Sequence, residues 1–269
     1  MKLFALGDLH VEHRSNRAAI ESLPPHPEDW LALCGDVSES VAALSWTLDA
    51  LLPRFSKLIW VPGNHELWTV PRTGETSRGE ERYARLVAAC RARGVLTPED
   101  EYPTWTEEPR IRIAPLFILY DYSFAPDGIH GADAARAWAL EGGISAADEV
   151  LLHFDPHPSR EAWCHARIDA TVPRLEEASR DAKLVLINHW PLRRDLVRIP
   201  RVPRYVPWCG TRATEDWHVR FNAEVVVSGH LHVRATDMRD GVRFEEVSLG
   251  YPRDWDASRG IAHYFRRIL

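Results

Sequence analysis

No apolar run in this 269-residue chain approaches the length of a membrane span, and the first one, Leu3 to Leu6, is too short for a signal-peptide core. The expectation is a cytoplasmic protein with no membrane partner. The four cysteines, Cys34, Cys90, Cys164 and Cys209, lie far apart and show none of the paired spacing of a zinc ribbon or a thioredoxin-type motif. They read as reduced thiols, with Cys34 packed in the core as a small hydrophobe. Positive charge is also short, with 33 Lys and Arg against 39 Asp and Glu, a net charge of −6. That balance argues against a globally basic nucleic-acid binder, although local basic patches stay open. There is no internal repeat and no low-complexity tract. At 45% hydrophobic and 27% charged, the chain has the apolar material for one large domain.

What the chain does have is five short polar clusters, each directly behind an apolar run. They are Gly7-Asp8-Leu9-His10, Gly35-Asp36, Gly63-Asn64-His65-Glu66, Asn188-His189 and Gly229-His230-Leu231-His232. The runs Leu3 to Leu6, Trp30 to Cys34, Lys57 to Val61, Lys183 to Ile187 and Glu224 to Val227 have the near-continuous apolar character of strands buried on both faces. Helical patterns between the early strands, over 15–22 and 38–52, imply a parallel sheet with crossover helices. In such a sheet the carboxyl ends of the strands gather at one edge, where open α/β folds hold their sites.

The rest of the chain supports a single domain over residues 1–269. Residues 78–93 read as a helix stopped by Gly94, and 110–119 as a strand. From Tyr120 to Pro158 the pattern loosens into Gly, Pro, Asp and aromatic residues, a surface excursion around 120–158. A helix follows from Ser159 to Ser179, with Ser159 as cap and Pro173 expected to kink or shorten its far end. Three β-like segments close the chain, around 233–238, 242–248 and 262–268, and Asp240-Gly241 marks an antiparallel hairpin between the first two.

Taken singly, the polar residues have ordinary readings. Asp36 could cap the helix beginning near Ser38, Asn64 follows a Gly as turn residues do, and His189 could be a hydrogen-bonded core histidine. His230 and His232 alternate around Leu231, which places both on one side of an extended backbone. Together they form an oxygen and imidazole set without thiolate, suited to manganese, iron, cobalt, nickel or zinc, with manganese favoured. Two such ions about 3.5–4 Å apart need a bridging carboxylate and clamp the attacking and leaving oxygens of a displacement.

The five blocks, in this order, resemble the pattern of the calcineurin-like metallophosphoesterase superfamily: Asp-x-His, Gly-Asp, Gly-Asn-His-Asp/Glu, a lone His, then Gly-His-x-His. The resemblance runs from Gly7 to His232. It implies an α/β fold, a four-layer α/β/β/α sandwich of two mixed sheets flanked by helices. It also implies a ligand set in which Asp8, His10, Asp36 and His232 hold one divalent transition-metal ion and Asp36, Asn64, His189 and His230 the other. Asp36 then bridges the two. Two dications sharing a water bring its pKa toward neutrality, and the resulting hydroxide attacks phosphorus in line with the leaving oxygen. His65 is the expected proton donor to that oxygen. By resemblance to the protein-phosphatase branch, Glu39, three residues after Asp36, orients His65; it could equally be an exposed acid in the first turn of a helix.

That branch carries an Arg-Gly where this chain has Ser40-Val41, so a phosphoprotein substrate is not the first expectation. Arginines crowd the segment after His189 instead, an Arg/Pro-rich loop around 191–210 that the prolines keep from regular helix. Arg193, Arg194, Arg198 and Tyr205 are its candidates for gripping extra phosphates and stacking on a ring, with Arg201, Arg204, Trp190 and Trp208 nearby and Arg72 and Arg78 opposite. A solvated basic loop making surface ion pairs is the competing reading. The expected activity is hydrolysis of phosphomonoesters or phosphodiesters on a small phosphorylated metabolite or nucleotide. The alternatives are a nuclease acting on oligonucleotides and a catalytically silent metal-binding scaffold for protein partners.

Overall fold

The computed structural model describes residues 1–269. Its elements in chain order are β1 (Leu3–Leu6), α1 (Arg14–Glu21), β2 (His26–Cys34), α2 (Val41–Leu51), β3 (Phe55–Val61), α3 (Asn64–Leu67), α4 (Gly79–Arg91), β4 (Ile111–Pro115) and α5 (Gly131–Glu141). Then come α6 (Asp148–Leu151), α7 (Arg160–Ala178), β5 (Lys183–Ile187), α8 (Trp217–Arg220), β6 (Ala223–Ser228), β7 (Thr236–Arg239), β8 (Val242–Glu246) and β9 (Arg266–Arg267). Two mixed sheets result, in the strand orders β3-β2-β1-β9 and β4-β5-β6-β8-β7. Within them β1, β2 and β3 run parallel, as do β4, β5, β6 and β8, whereas β9 and β7 are antiparallel edges.

The sheets pack face to face. Leu3, Ala5, Ala32, Cys34, Ile59 and Val61 of the first meet Ile113, Val185, Ile187, Val225 and Val227 of the second. Alternate residues, among them Leu31, Leu33, Trp60, Leu184, Leu186 and Val226, turn outward into a larger cluster under the helices. With one face of each strand against the other sheet and one against helices, both parities must be apolar, which is why the runs look continuous in sequence. The sheets are stitched at the carboxyl end of β1, where Gly7 N–H donates to Val247 O (3.1 Å) and Leu249 N–H donates to Gly7 O (2.8 Å).

Several local expectations are corrected. Ser40, not Asp36, caps α2, its hydroxyl accepting the Ala43 N–H at 3.1 Å. Pro173 does not end α7, which continues to Ala178 because Leu175 and Ala178 beyond it are buried. The 120–158 segment is more ordered than its Gly, Pro and Asp content suggested. It holds α5 and α6, and Tyr120, Tyr122 and Phe124 are buried. The hairpin at Asp240-Gly241 joins β7 to β8 as expected. The last β-like segment is a two-residue strand following a short 3-10 turn.

Candidate metal centre

All five polar clusters sit at the carboxyl ends of parallel strands, β1, β2, β3, β5 and β6, so the two sheets present them at one edge. The turns are sharp. Asp8 (φ 55°), His10 (41°), Asp36 (49°), His230 (75°) and His232 (54°) adopt left-handed backbone, five of nine non-glycine residues that do so. Such conformations cost on the order of 1–3 kcal/mol each and persist only where surrounding contacts impose them. Two buried glutamates supply those contacts. Glu66 accepts the backbone N–H groups of Asp36 (2.8 Å), Val37 (2.6 Å) and Gly63 (2.8 Å), fastening the Asp36 and Asn64 loops together. Glu246 accepts those of Leu231 (3.2 Å) and Arg234 (2.7 Å) around His230 and His232.

The loops approach so closely that a Cβ on Gly63 would collide with the Asp36 carboxylate and backbone. Gly63→Ala is therefore expected to destabilise the protein by about 1–3 kcal/mol through forced backbone shifts, and to weaken metal binding as Asp36 moves. Urea unfolding and a metal titration of the same preparation check both. An unchanged midpoint would mean that the loop has room the geometry does not show.

The ligand atoms converge in overlapping groups. Asp8, His10 and His232 form one, and Asp36, His189 and His230 another; a third links His10, Asp36 and His65, with donor atoms within 4.8 Å of one another in each. His10 Nε2 lies 3.3 Å from His232 Nε2, and His189 Nε2 lies 3.1 Å from His230 Nδ1 and 3.3 Å from Asn64 Oδ1. Outer contacts orient several of them. His189 Nδ1 is 2.8 Å from the Cys34 carbonyl, which fixes the proton there and leaves the Nε2 lone pair facing inward. His232 Nδ1 lies 3.3 Å from Asp254, and Asp8 accepts the Ser248 hydroxyl at 2.7 Å.

Electrostatics show what such a cluster lacks. Burial pushes the His189 imidazole down to about 4 and the His10 and His230 rings well below their ordinary value, so these are neutral bases with lone pairs pointed at one another. Burial, with the Asp8 and Glu66 carboxylates adding to it, raises Asp36 well above the usual carboxylate range. Burial also works against the charge on Asp8, but the His232 hydrogen bond and charge, the largest opposing causes, help hold Asp8 low. His232 is raised to about 9: burial opposes its charge, and Asp8 chiefly, with Glu246 and Asp254, overcomes that. Inward lone pairs and a carboxylate too buried to ionise alone make a donor set that suits divalent cations.

His65 stands at the mouth of this cluster. Its Nε2 is 3.8 Å from Asp36 Oδ2 and its Nδ1 is 3.6 Å from Glu39 Oε1, too long for a hydrogen bond but close enough for charge to act. The His65 imidazole, ahead of Arg72, holds the Glu39 carboxyl below its ordinary range despite partial burial. The Trp68 ring lies against His65, with centroids 3.7 Å apart.

The arginine expectations fare differently. Arg193 is tied to Asp195 (2.9 Å) and the Glu215 carbonyl (3.0 Å), Arg194 to the Phe124 carbonyl (2.6 Å), and Arg198 to Asp237. None of the three lines the cavity over the candidate metal ligands, a hollow of about 590 Å³ bounded by Asp36, Asn64, His65, His230 and His232. Tyr205 does line it, together with Arg201, Tyr251 and Arg253, the last two outside the sequence expectation. Arg72 pairs with Glu39 and Arg78 with Asp155 (3.4 Å), while Trp190 and Trp208 are buried. Sequence reasoning also missed the supporting roles of Glu66, Glu246, Ser248 and Asp254. A hollow of similar size at the opposite end of the second sheet contains Glu108, Arg110, Lys183 and Glu224, whose charges pair with one another.

The profile of the calcineurin-like phosphoesterase family matches residues 1–234. The acyl-carrier-protein phosphodiesterase PptH of Mycobacterium tuberculosis is 49% identical over 269 residues, covering 99% of this chain and 83% of that protein. The crystal structure of the phosphopantetheinyl hydrolase PptH from the same organism superimposes with a TM-score of 0.93 at 47% identity, covering 100% of this chain and 95% of the other.

Proposed function

Since this chain belongs to the calcineurin-like phosphoesterase family and is a metal-dependent phosphoesterase, we propose that it is a phosphodiesterase that releases phosphopantetheine from a carrier protein. The observation that carries the reaction class is the pair of histidine and carboxylate clusters, Asp8-His10-His232 and Asp36-His189-His230, joined through the His10-Asp36-His65 group beneath one cavity, with His65 at its mouth. The relative's substrate supports the finer reading, and so does the wall of the cavity. Ile199, Pro200, Val202 and Tyr205 form an apolar side that suits an extended, largely uncharged arm. A small free metabolite or nucleotide, the expectation from sequence, becomes the alternative.

Asp8, His10, Asp36 and His232 would hold one divalent ion, and Asp36, Asn64, His189 and His230 the other. Ions so held would supply an activated water and would neutralise charge developing on the phosphoryl oxygens. The protein's own groups do the rest. Asp36 sits between both histidine clusters, so its position sets their separation. His65 lines the cavity and gives its proton from Nε2 to the departing oxygen, while Glu39 lies 3.6 Å from Nδ1 on the other side of the ring. In the net reaction the water oxygen bonds to phosphorus, the bond from phosphorus to the carrier's oxygen breaks, and the carrier regains a hydroxyl.

The test is intact mass spectrometry of a phosphopantetheinylated carrier incubated with metal-reconstituted protein. Recovery of the unmodified carrier and free phosphopantetheine is the expected result. A phosphorylated carrier with free pantetheine would place cleavage on the other ester bond. An inert carrier beside rapid turnover of nucleotides or oligonucleotides would replace this reading with one of the alternatives.

Arg201 distinguishes a protein substrate from a small one. Four neighbours, Arg193, Arg194, Arg198 and Arg204, are engaged with carboxylates or carbonyls, whereas Arg201 makes no ion pair or hydrogen bond and lines the rim. Arg201→Ala is expected to raise KM for the carrier about 2- to 5-fold with kcat little changed, the scale of one exposed charge contact. Steady-state kinetics with bis-p-nitrophenyl phosphate as the control should show no such rise. A parallel rise on both substrates would move Arg201 from the rim to the phosphoryl group itself.

A further inference from the structure

The catalytic loops rest on a helix that no block of the ligand pattern includes. Helix α6 is one turn long, and its first two residues face opposite ways. Asp148 is fully buried, and its Oδ1 accepts the Asn64 Nδ2–H at 3.0 Å and the Trp68 indole N–H at 2.7 Å. Glu149 reaches the other side. It accepts the Tyr122 hydroxyl (2.8 Å), the Trp208 indole N–H (2.7 Å) and the Arg160 guanidinium (2.8 Å). Trp208 ends the 3-10 stretch Pro203–Trp208 that carries Tyr205 into the cavity.

We propose that Asp148 is a positioning residue for the phosphoesterase reaction, holding Asn64 and Trp68 so that the second metal ligand set and the proton donor His65 are fixed by one carboxylate. The chemistry of the acceptor makes this specific. A side-chain amide can be turned over with little change in shape, and only its partners decide which end faces where. A carboxylate only accepts, so it takes the NH₂ end of Asn64 and turns the oxygen inward, toward His189 Nε2 at 3.3 Å. The second donor, Trp68, offers its ring to His65. One buried acceptor thus governs both the oxygen available to an ion and the plane against which the imidazole lies. Glu149, the next residue, ties the same helix to the 3-10 stretch that carries Tyr205, so one short helix contacts both the metal ligands and the substrate wall.

The proposal rests on Asn64 as a ligand and His65 as the proton donor, and its test separates it from that reading. Metal-stripped wild type, Asp148→Asn and Asp148→Ala are titrated with manganese by calorimetry, which needs no turnover, and then assayed on phosphodiesters of graded leaving-group pKa. Asp148→Ala is expected to weaken one of two manganese sites on the order of 10- to 100-fold, the usual cost of losing a ligand's outer partner, and to leave the other unchanged. Its kcat should fall most on poor leaving groups while KM holds. Asp148→Asn keeps an acceptor oxygen and should lie between the two. Wild-type manganese binding and wild-type leaving-group dependence in Asp148→Ala, even with a lowered melting temperature, would make Asp148 a structural residue only and overturn the proposal. Should Asp148→Ala not fold, Asp148→Asn carries the test: unchanged binding and kinetics there would overturn it equally. Failure of the carrier to react would overturn the substrate reading and leave the calorimetric result standing.

Discussion

Asp36→Asn is expected to reduce bound metal from two ions per chain to one or none, and to lower kcat/KM on bis-p-nitrophenyl phosphate by on the order of 10³- to 10⁴-fold. The side chain keeps its size, so the loss is electronic. A two-ion centre contributes several kcal/mol to transition-state charge stabilisation, and at 1.36 kcal/mol per decade that is three or four orders of magnitude. An amide offers one neutral oxygen and a donor NH₂, whereas the carboxylate offers two oxygens sharing a negative charge, the group that would hold both ions. The backbone is consistent with this: Asp36 adopts left-handed φ, and its N–H is held by Glu66. A second consequence has the opposite sign. Without metal, the Asp36 charge is buried beside Asp8 and Glu66 and disfavoured by all of them. Metal-free Asp36→Asn should therefore melt at a higher temperature than metal-free wild type near neutral pH, and the order should reverse when manganese is added. Elemental analysis, kinetics and a pair of melting curves check the three parts. Full metal content with full activity in the variant would remove the shared-carboxylate centre from consideration.

How much of this was visible in the sequence depends on how local each signal is. Asp8, His10, Asp36, Asn64, His189, His230 and His232 could be picked out because each lies within four residues of the end of a strand that had to be apolar on both faces. Strand and ligand were read as one unit. Asp148 could not be found that way. It meets Asn64 across 84 positions and sits on a four-residue helix in a stretch whose glycines and prolines hid its order. Helix α5 was missed for a related reason: it buries only Ala135 and Ala139 and so shows no broad apolar stripe. The arginines mark a different boundary. Five of them crowd the 193–204 segment, and composition alone could not say which would be consumed by Asp195, Asp237, Glu141 or a backbone carbonyl. Only the fold left Arg201 unpaired and brought Arg253 and Tyr251, some fifty residues on, to the same rim. Glu66 was in plain view beside Asn64 and His65, but its work as acceptor for three backbone N–H groups appears only once the Asp36 loop lies against it.

His65→Ala should separate metal binding from proton transfer. The variant is expected to keep both ions, since each ligand set is complete without His65, and to lose rate in proportion to how badly the leaving oxygen needs a proton. On p-nitrophenyl esters, whose phenolate departs readily, the loss should stay within about tenfold. On alkyl diesters, and on a carrier whose departing group is an alkoxide, it should reach the 10²- to 10⁴-fold typical of general acid catalysis. The geometry supports this division: His65 lies at the mouth of the cavity with Nε2 inward, Glu39 behind Nδ1 and the Trp68 ring against its face. Glu39→Gln should show a smaller loss with the same dependence on leaving group, because it alters the support of the imidazole and leaves the imidazole in place. The measurement is log kcat against leaving-group pKa for the three proteins, each with its metal content determined. A steeper line for His65→Ala identifies a proton donor. A line displaced downward but parallel to that of wild type would mean that the imidazole stabilises charge on the phosphoryl group, and the proton for the departing oxygen would then have to come from another group.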